Sequence, residues 1–227
     1  MKRARNYSSG AFTLVELFIC IAVLGAVAAI FLPNFTSKRR YSRLGCANNL
    51  KQIGLGFRTW ALDNGDKLPM QIPVTNGGTM ELVESGKVFN HFQVMSNELI
   101  TPKILFCPEE SDTNRTMANS FTISTVATGV ILLTNDNQIS YFVGVDADSK
   151  WPQMFLYGDR NFAVDGMPLG SGLHSIRTNT ALTWLQPRHS NSGNLCFADG
   201  SVGQFQSRAL RMGLRASGVA TNRLAIP

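Results

Sequence analysis

The chain has 227 residues, of which 44% are hydrophobic and 16% charged, and its formal net charge is +6. This length and apolar content allow one globular domain with a sizeable core plus an appendage. The net positive charge comes from the segments on either side of residues 45–206, because residues 45–206 hold 14 of the 15 acidic side chains and are net negative. A nucleic-acid-binding domain is expected to show a basic face with interleaved aromatic residues. The sequence contains no such pattern, so nucleic acid is not an expected partner.

Eleven of the 21 basic residues lie outside residues 45–206 in three groups, and their placement is typical of segments that flank a membrane. They are Lys2, Arg3 and Arg5; Lys38, Arg39, Arg40 and Arg43; and Arg208, Arg211, Arg215 and Arg223.

An apolar run covers residues 11–32 and contains a single charge, Glu16. At about 1.5 Å per residue, a helix of this length reaches about 33 Å and would cross a bilayer. A secretory signal peptide would explain the basic start and the small residues at 26–28, but its apolar core is usually shorter and uncharged. A lipoprotein signal ending at Cys46 is excluded because the basic residues 38–40 separate that cysteine from the run. The third interpretation is a retained membrane anchor.

A short basic leader, a small residue, the stretch Phe-Thr-Leu-Val-Glu and a long apolar run resemble the N-terminus of type IV pilins and type II secretion pseudopilins. In that family the glutamate is the fifth residue of the mature chain. The resemblance therefore implies that prepilin peptidase cuts between Ala11 and Phe12 and that Phe12 is then N-methylated. Since the family prefers glycine before the cut, cleavage after Gly10 is the alternative.

The resemblance also implies a role for Glu16 in assembly. An unpaired carboxylate in the middle of a membrane costs about 2.5–3.5 kcal/mol. The new α-ammonium of Phe12 on a neighbouring subunit would neutralise it and fix the register of the filament. The alternative is a carboxylate tolerated near a helix N-terminus, where the helix dipole favours negative charge.

After Pro33 the sequence predicts the outer half of the same long helix. Apolar residues recur at intervals of three or four, and Asn64-Gly65 ends the pattern. These apolar residues are Leu44, Ala47, Leu50, Ile53, Phe57 and Trp60. The stretch at 46–57 also resembles the corresponding segment of pseudopilin-like proteins.

From about residue 66 the sequence predicts short strands and turns, rich in β-branched and aromatic residues, and one of the expected strands is at 87–95. Asp199-Gly200 is expected to be the two-residue turn of a hairpin, and residues 207–227 to begin with a short helix and then fray. The expected fold class is α+β and pilin-like: a long N-terminal α-helix, membrane-spanning in its first half, packed on an antiparallel β-sheet head. The expected segments are a removed leader 1–11, a membrane and filament-core helix 12–34, its amphipathic outer half 35–63, and a head 64–227 with a hairpin at 189–206.

No two of the four cysteines have the spacing of zinc ligands. Cys20 lies in the apolar run. One disulfide can form among Cys46, Cys107 and Cys196, and the sequence leaves the pairing open, with Cys46–Cys107 as a candidate.

His189, followed by nine residues and then Asp199-Gly200, resembles the signature of prepilin-like proteins with a His-x9-Asp-Gly domain. The stretches at 106–108 and 158–161 resemble further landmarks of that family. We expect Asp199 and Gly200 to shape a turn and His189 to tether the loop before it. The alternative is that Asp199, with Asp159, binds calcium, as some pseudopilins do; no other cofactor is expected.

Catalysis is not expected, because the sequence has no metalloprotease motif, no nucleophile elbow and no phosphate-binding glycine-rich loop. The sequence therefore predicts a structural subunit, held by its helix in the inner membrane with a periplasmic head, that assembles into a pseudopilus or pilus-like filament. Its expected partners are other pseudopilins, the prepilin peptidase and methyltransferase, and an inner-membrane assembly platform. The alternative is an anchored periplasmic module that binds a ligand or DNA and does not polymerise.

Overall fold

The computed structural model describes residues 13–31, 38–122, 129–185, 189 and 191–227, without the side chains of residues 29–31 and 38–43. The chain divides into two compact units, residues 1–41 and residues 42–227. The expected cleavage positions Gly10, Ala11 and Phe12 lie outside the described residues.

Helix α1 comprises Leu14–Phe31 and is apolar around its whole circumference. Its described side chains are exposed within the chain, including Leu14 at 71% and Leu24 at 68%. Thr13 and Glu16 form a capping box at its start. The Glu16 carboxylate accepts hydrogen bonds from the Thr13 amide and hydroxyl, both at 2.8 Å, and the Glu16 amide donates to the Thr13 hydroxyl. These bonds satisfy groups that a helix N-terminus leaves without partners.

The expected fold class, with one long N-terminal helix that spans a membrane in its first half, is wrong. The N-terminal sequence forms two helices, α1 and α2, of which α2 comprises Lys38–Asp63.

In the part of the chain that the structure describes, no helix combines the length and the apolar character needed to cross a membrane. This finding overturns the expected spanning segment at 12–34. It also overturns the single-pass inner-membrane location with a periplasmic head, and the membrane-resident secretion pseudopilin that depended on it.

Nine strands are present in the described part of the second unit. In chain order they are β1 (Tyr141–Gly144), β2 (Phe155–Asp159), β3 (Phe162–Val164), β4 (Met167–Pro168), β5 (Gly172–Arg177), β6 (Leu182–Trp184), β7 (Ser192–Phe197), β8 (Val202–Gln206) and β9 (Thr221–Ile226). Six form an antiparallel sheet in the order β5-β9-β1-β2-β7-β8, and the others form a small sheet in the order β4-β3-β6. The expectation of a frayed C-terminus is wrong, because β9 pairs with β1 on one side and β5 on the other.

Helix α2 packs its apolar face on the large sheet. The Phe57 ring stacks on Tyr157 of β2, with ring centroids 5.4 Å apart, and the Tyr157 hydroxyl donates a hydrogen bond to the Leu50 carbonyl at 2.9 Å. The predicted stripe is confirmed from Leu50 onward, whereas Leu44 is exposed and Cys46 is buried in its place. Burial of each large side chain in this stripe contributes about 1.5–3 kcal/mol.

Residues 88–99 form two short helices, α3 (Val88–Gln93) and α4 (Ser96–Leu99), where a strand was expected at 87–95. The buried side chains of Val88, Phe92, Met95 and Leu99 recur at intervals of three or four. That spacing is helical, so the period of the pattern outweighs the β-propensity of valine and phenylalanine.

A second apolar cluster lies on the opposite face of the large sheet, beneath helix α5 (Ser207–Ala216) and the small sheet. Strand β1 shows the alternation that separates the two clusters: Phe142 belongs to the α5 side, while Tyr141 and Val143 belong to the α2 side. Leu210 and Leu214 of α5 are fully buried. The large sheet is therefore the middle layer of three.

Candidate functional site around His189

The His189 ring lies between two carboxylates. Its Nδ1 is 2.7 Å from Oε2 of Glu109, and its Nε2 is 3.2 Å from Oδ2 of Asp159. His189 is 1% exposed and Asp159 is fully buried. At these distances both carboxylates would attract a protonated imidazole, so the surroundings of the ring suit a cation between two anions.

Asp159 is the last residue of β2 and is held by the neighbouring strand β7. Its Oδ2 accepts a hydrogen bond from the Asn194 amide at 2.7 Å and another from the Asn194 side chain at 2.9 Å. The preceding residue is Gly158, where a Cβ would lie 2.5 Å from the Asn194 carbonyl oxygen. Glycine at that position therefore permits the close approach of β2 and β7 that brings Asp159 to the ring.

The backbone of His189 is held in the left-handed region, with φ of +51°. For a residue with a side chain this conformation costs about 1–2 kcal/mol, so it persists only where surrounding contacts fix it. The contacts here come from two sides. The His189 amide donates to Oε2 of Glu109 at 3.3 Å, and its carbonyl accepts a hydrogen bond from the Ser192 hydroxyl.

A disulfide joins Cys46 of α2 to Cys107, with Cα atoms 5.2 Å apart, and it lies against the same histidine. The distance from Cys107 Sγ to His189 Nε2 is 3.6 Å. This is the candidate pair from the sequence. Cys196 is a buried free thiol. Burial raises the pKa of that thiol to about 12.

The structure does not bring His189 and Asp199 together. They lie beyond opposite ends of β7, and the six residues of that strand span about 20 Å. Asp199 is exposed, and its Oδ1 accepts hydrogen bonds from the Ser201 amide at 2.8 Å and the Ser201 hydroxyl at 2.6 Å. Gly200 adopts a φ of +83°, as a tight turn requires. The turn is wider than the expected two residues, since the last paired residues of the hairpin are Cys196 and Val202.

The same separation removes the expected calcium pair. Asp159 lies at the His189 end of β7, whereas the Asp199 amide donates to the Pro152 carbonyl, before the start of β2. One ion held by both carboxylates would need their oxygen atoms within about 5 Å of each other. The two residues therefore do not share a cation site.

A cleft of about 580 Å³ borders the His189 cluster on the side of β8 and α5. Its lining is about half polar and half apolar: Gln204, Gln206 and Arg208 contribute polar groups, and Ala209 and Met212 of α5 contribute apolar ones. The Ser192 hydroxyl, which also lines it, donates to the His189 carbonyl and is engaged away from the imidazole ring.

Sequence reasoning missed Glu109 and Asn194 as members of this cluster. Glu109 lies two residues after Cys107, directly beyond the stretch 106–108 that resembles a family landmark, and Asp159 lies in the similar landmark 158–161. These landmarks were a usable signal, because both border His189 in space. Nothing in the sequence identifies Asn194, whose role depends on the strand pairing.

The fold and the site define an α+β unit with a three-layer core and a buried histidine–carboxylate cluster beside a disulfide. The chain matches no protein-family model, no curated protein and no solved structure.

Proposed function

We propose that this chain is a pilin-like structural subunit that assembles into a filament through helix α1, after a prepilin-type peptidase removes residues 1–11. The observation that carries the proposal is the exposure of apolar side chains all around α1. Val15, Phe18 and Ile21 are 57–65% exposed in the single chain. A helix that is apolar on every side is normally buried among other helices.

Burial between copies supplies the free energy for assembly. Each large apolar side chain of α1 that moves from water into an interface contributes about 1.5–3 kcal/mol before the entropic cost of association. Since the exposed residues point in all directions, one neighbour cannot cover them. A bundle of α1 helices at the centre of a filament can.

Glu16 supports the proposal in a different way. In the single chain its carboxylate accepts two hydrogen bonds from Thr13, and these bonds lower its pKa. Glu16 therefore remains ionised at neutral pH. A cut before Phe12 would place a new α-ammonium one residue before Thr13, and within a filament that cation could pair with Glu16 of the next copy.

The test compares two leucines of nearly equal exposure, Leu24 on α1 at 68% and Leu55 on α2 at 66%. We expect Leu24→Ser to weaken self-association of the processed chain about tenfold, because it removes about 1.5 kcal/mol of apolar burial per contact. Leu55→Ser should leave association unchanged. Sedimentation and chemical cross-linking measure the multimers. Equal multimer formation by both variants would show that α1 is not the assembly surface.

N-terminal sequencing of the chain after co-expression with a prepilin peptidase tests the processing step. A mature chain beginning at Phe12 supports the proposed cut. In that background, Glu16→Ala should slow assembly more than Asp63→Ala, a change at an exposed carboxylate at the end of α2. If the chain is not processed, or if both variants assemble like the parent, the pilin-like role of Glu16 is wrong.

The second candidate is a binding module that does not polymerise, and the cleft beside His189 favours it. The cleft volume of about 580 Å³ lies in the range of small-molecule sites. This candidate predicts a chain that stays monomeric after processing, with Leu24→Ser and Leu55→Ser behaving alike.

A further inference from the structure

We propose that Cys46, Cys107 and His189 bind a zinc ion when the disulfide is reduced. Cys46 of α2 would then be linked to Cys107 in both redox states, by the disulfide in the oxidised chain and through zinc in the reduced chain. The proposal is independent of filament assembly, because all three residues belong to the second unit.

The three ligand atoms already lie close together. One atom from each side chain falls within 4.8 Å of the others, and all three residues are buried. Cys107 Sγ is 3.6 Å from His189 Nε2. Around tetrahedral zinc, bond lengths of about 2.3 Å to sulfur and about 2.05 Å to nitrogen place those two ligand atoms about 3.6 Å apart. The observed separation therefore needs no adjustment.

Glu109 lies on the side of the ring where a zinc-bound histidine normally has its second contact. Its Oε2 lies 2.7 Å from Nδ1 of His189. A proton on Nδ1 directs the lone pair of the neutral ring to Nε2, the nitrogen that faces the sulfur. A carboxylate behind the metal-bound imidazole fixes the ring orientation and increases its basicity.

Asp159 adds negative charge on the metal side of the ring. Its Oδ2 lies 3.2 Å from the same Nε2, and its Oδ1 has no hydrogen-bond partner among the described residues. In the reduced chain, zinc binds Nε2 of the neutral ring, and Asp159 or a water molecule completes four-coordination.

The two states exclude each other chemically. A phosphine reductant breaks the S–S bond, becomes the phosphine oxide with an oxygen atom from water, and leaves two thiols that carry the two protons of that water. Zinc binding then releases both thiol protons and forms two Zn–S bonds. The sulfur atoms must first move apart, because two sulfurs on one zinc ion lie about 3.8 Å from each other.

The experiment measures zinc and cobalt(II) binding by the full chain, held in mild detergent because α1 exposes apolar side chains. Cys20→Ser is the background, since Cys20 is an exposed free thiol that would otherwise bind metal in both redox states. After phosphine treatment we expect one equivalent of zinc per chain, and with cobalt(II) the visible bands of a tetrahedral ion together with a sulfur-to-metal charge-transfer band. The oxidised chain should bind neither metal at this site.

Three variants assign the ligands. We expect His189→Ala to weaken zinc binding at least about 100-fold and Glu109→Gln about 10–100-fold, because loss of a contact behind the ligand alone reduces affinity by that amount. Cys196→Ser is the matched cysteine control and should bind zinc like the parent. Near-UV circular dichroism of the oxidised variants checks that the core is intact, and Glu109→Gln keeps the test valid if His189→Ala does not fold.

Three results would overturn the proposal. They are reduced chain without stoichiometric zinc, unchanged affinity in both His189→Ala and Glu109→Gln, and equal binding by oxidised and reduced chain.

Discussion

The two ends of strand β7 carry the two halves of one sequence signature, yet they are held by different kinds of interaction. At the first end His189 is buried, and its partners Glu109 and Asp159 are distant in sequence. At the second end the Asp199 side chain is exposed and bonds to Ser201, two residues away. The ten-residue spacing between His189 and Asp199 therefore corresponds to the length of β7 and its flanking residues. It does not bring the two side chains into contact.

This difference separates long-range structure from local geometry. The buried end connects α2, the loop after Cys107, β2 and β7, so a substitution there should affect the whole unit. The exposed end shapes one turn, so a substitution there should affect little beyond it. Substitutions can test this contrast directly.

The largest effect is expected from Asp159→Ala at the buried end. This change leaves His189 without one carboxylate and removes the acceptor of two hydrogen bonds from Asn194. Removing one partner from a buried ion pair costs about 3–5 kcal/mol, and we expect about 5 kcal/mol here because hydrogen bonds are lost as well. Urea unfolding followed by circular dichroism measures the free energy of unfolding.

Asp63→Ala, at an exposed carboxylate of α2, is the control and should change stability by less than about 0.5 kcal/mol. The double variant Asp159→Ala/His189→Ala should lose less than the sum of the two single changes, since no buried charge is left without its partner. A loss below about 1 kcal/mol for Asp159→Ala would mean that the buried end is not held by charge.

The second-largest effect is expected from His91, a buried histidine that has no carboxylate partner among the described residues. It is fully buried, its Nδ1 lies 2.8 Å from the Thr79 hydroxyl, and burial lowers its pKa from 6.5 to about 4. Because the unfolded chain binds this proton more tightly, the contribution of His91 to stability is complete above pH 6.5 and is lost as the pH falls toward 4. The loss amounts to about 3 kcal/mol.

His91→Asn isolates this contribution, since asparagine can keep a polar contact with Thr79 but does not titrate. We expect the parent to lose about 3 kcal/mol more than the variant between pH 7 and pH 4. If the free energy of unfolding of parent and variant changed equally with pH, burial would not be what keeps His91 neutral. The comparison of His91 with His189, which lies between two carboxylates, would then fail.

The sequence predicted local features better than long-range ones. The apolar stripe of α2 from Leu50, its end at Asn64-Gly65 and a glycine turn at position 200 follow from spacing and backbone preference alone. Strand β9 was missed because its short apolar stretch gains stability only between two other strands. The α3 segment was assigned to a strand because residue preference was given more weight than the interval of buried residues.

The candidate site was predicted only in part, again because long-range contacts bring its residues together. His189, Asp159 and both cysteines of the disulfide were identified, but their common location was not, because it depends on the pairing of β2 with β7 and on where α2 crosses the sheet. The pairing of Asp159 with Asp199 in a calcium site was wrong because a strand separates them. Glu16 was identified from its place in an apolar run, and its bonds to Thr13 follow from the local capping geometry.

The smallest effect is expected at the exposed end, from Asp199→Ala. The change removes two hydrogen bonds to Ser201 and leaves the Ser201 amide accessible to water, so we expect a loss of about 1 kcal/mol. Gly200→Ala should cost a similar amount, because alanine at a φ of +83° is strained while no atom lies closer than 3.8 Å to the added Cβ. Both losses are measured by the same urea titration.

Asp199→Asn is the matched variant, because an amide oxygen can still accept from Ser201, and it should recover most of the loss. Near-UV circular dichroism should be unchanged in all three variants, since no core aromatic residue is disturbed. If Asp199→Ala were as destabilising as Asp159→Ala, the turn would be coupled to the core, and the contact to test would be Arg58, which donates to the Asp199 carbonyl at 3.3 Å. In that case Arg58→Ala would reproduce the loss, and the two ends of β7 would form one cooperative unit.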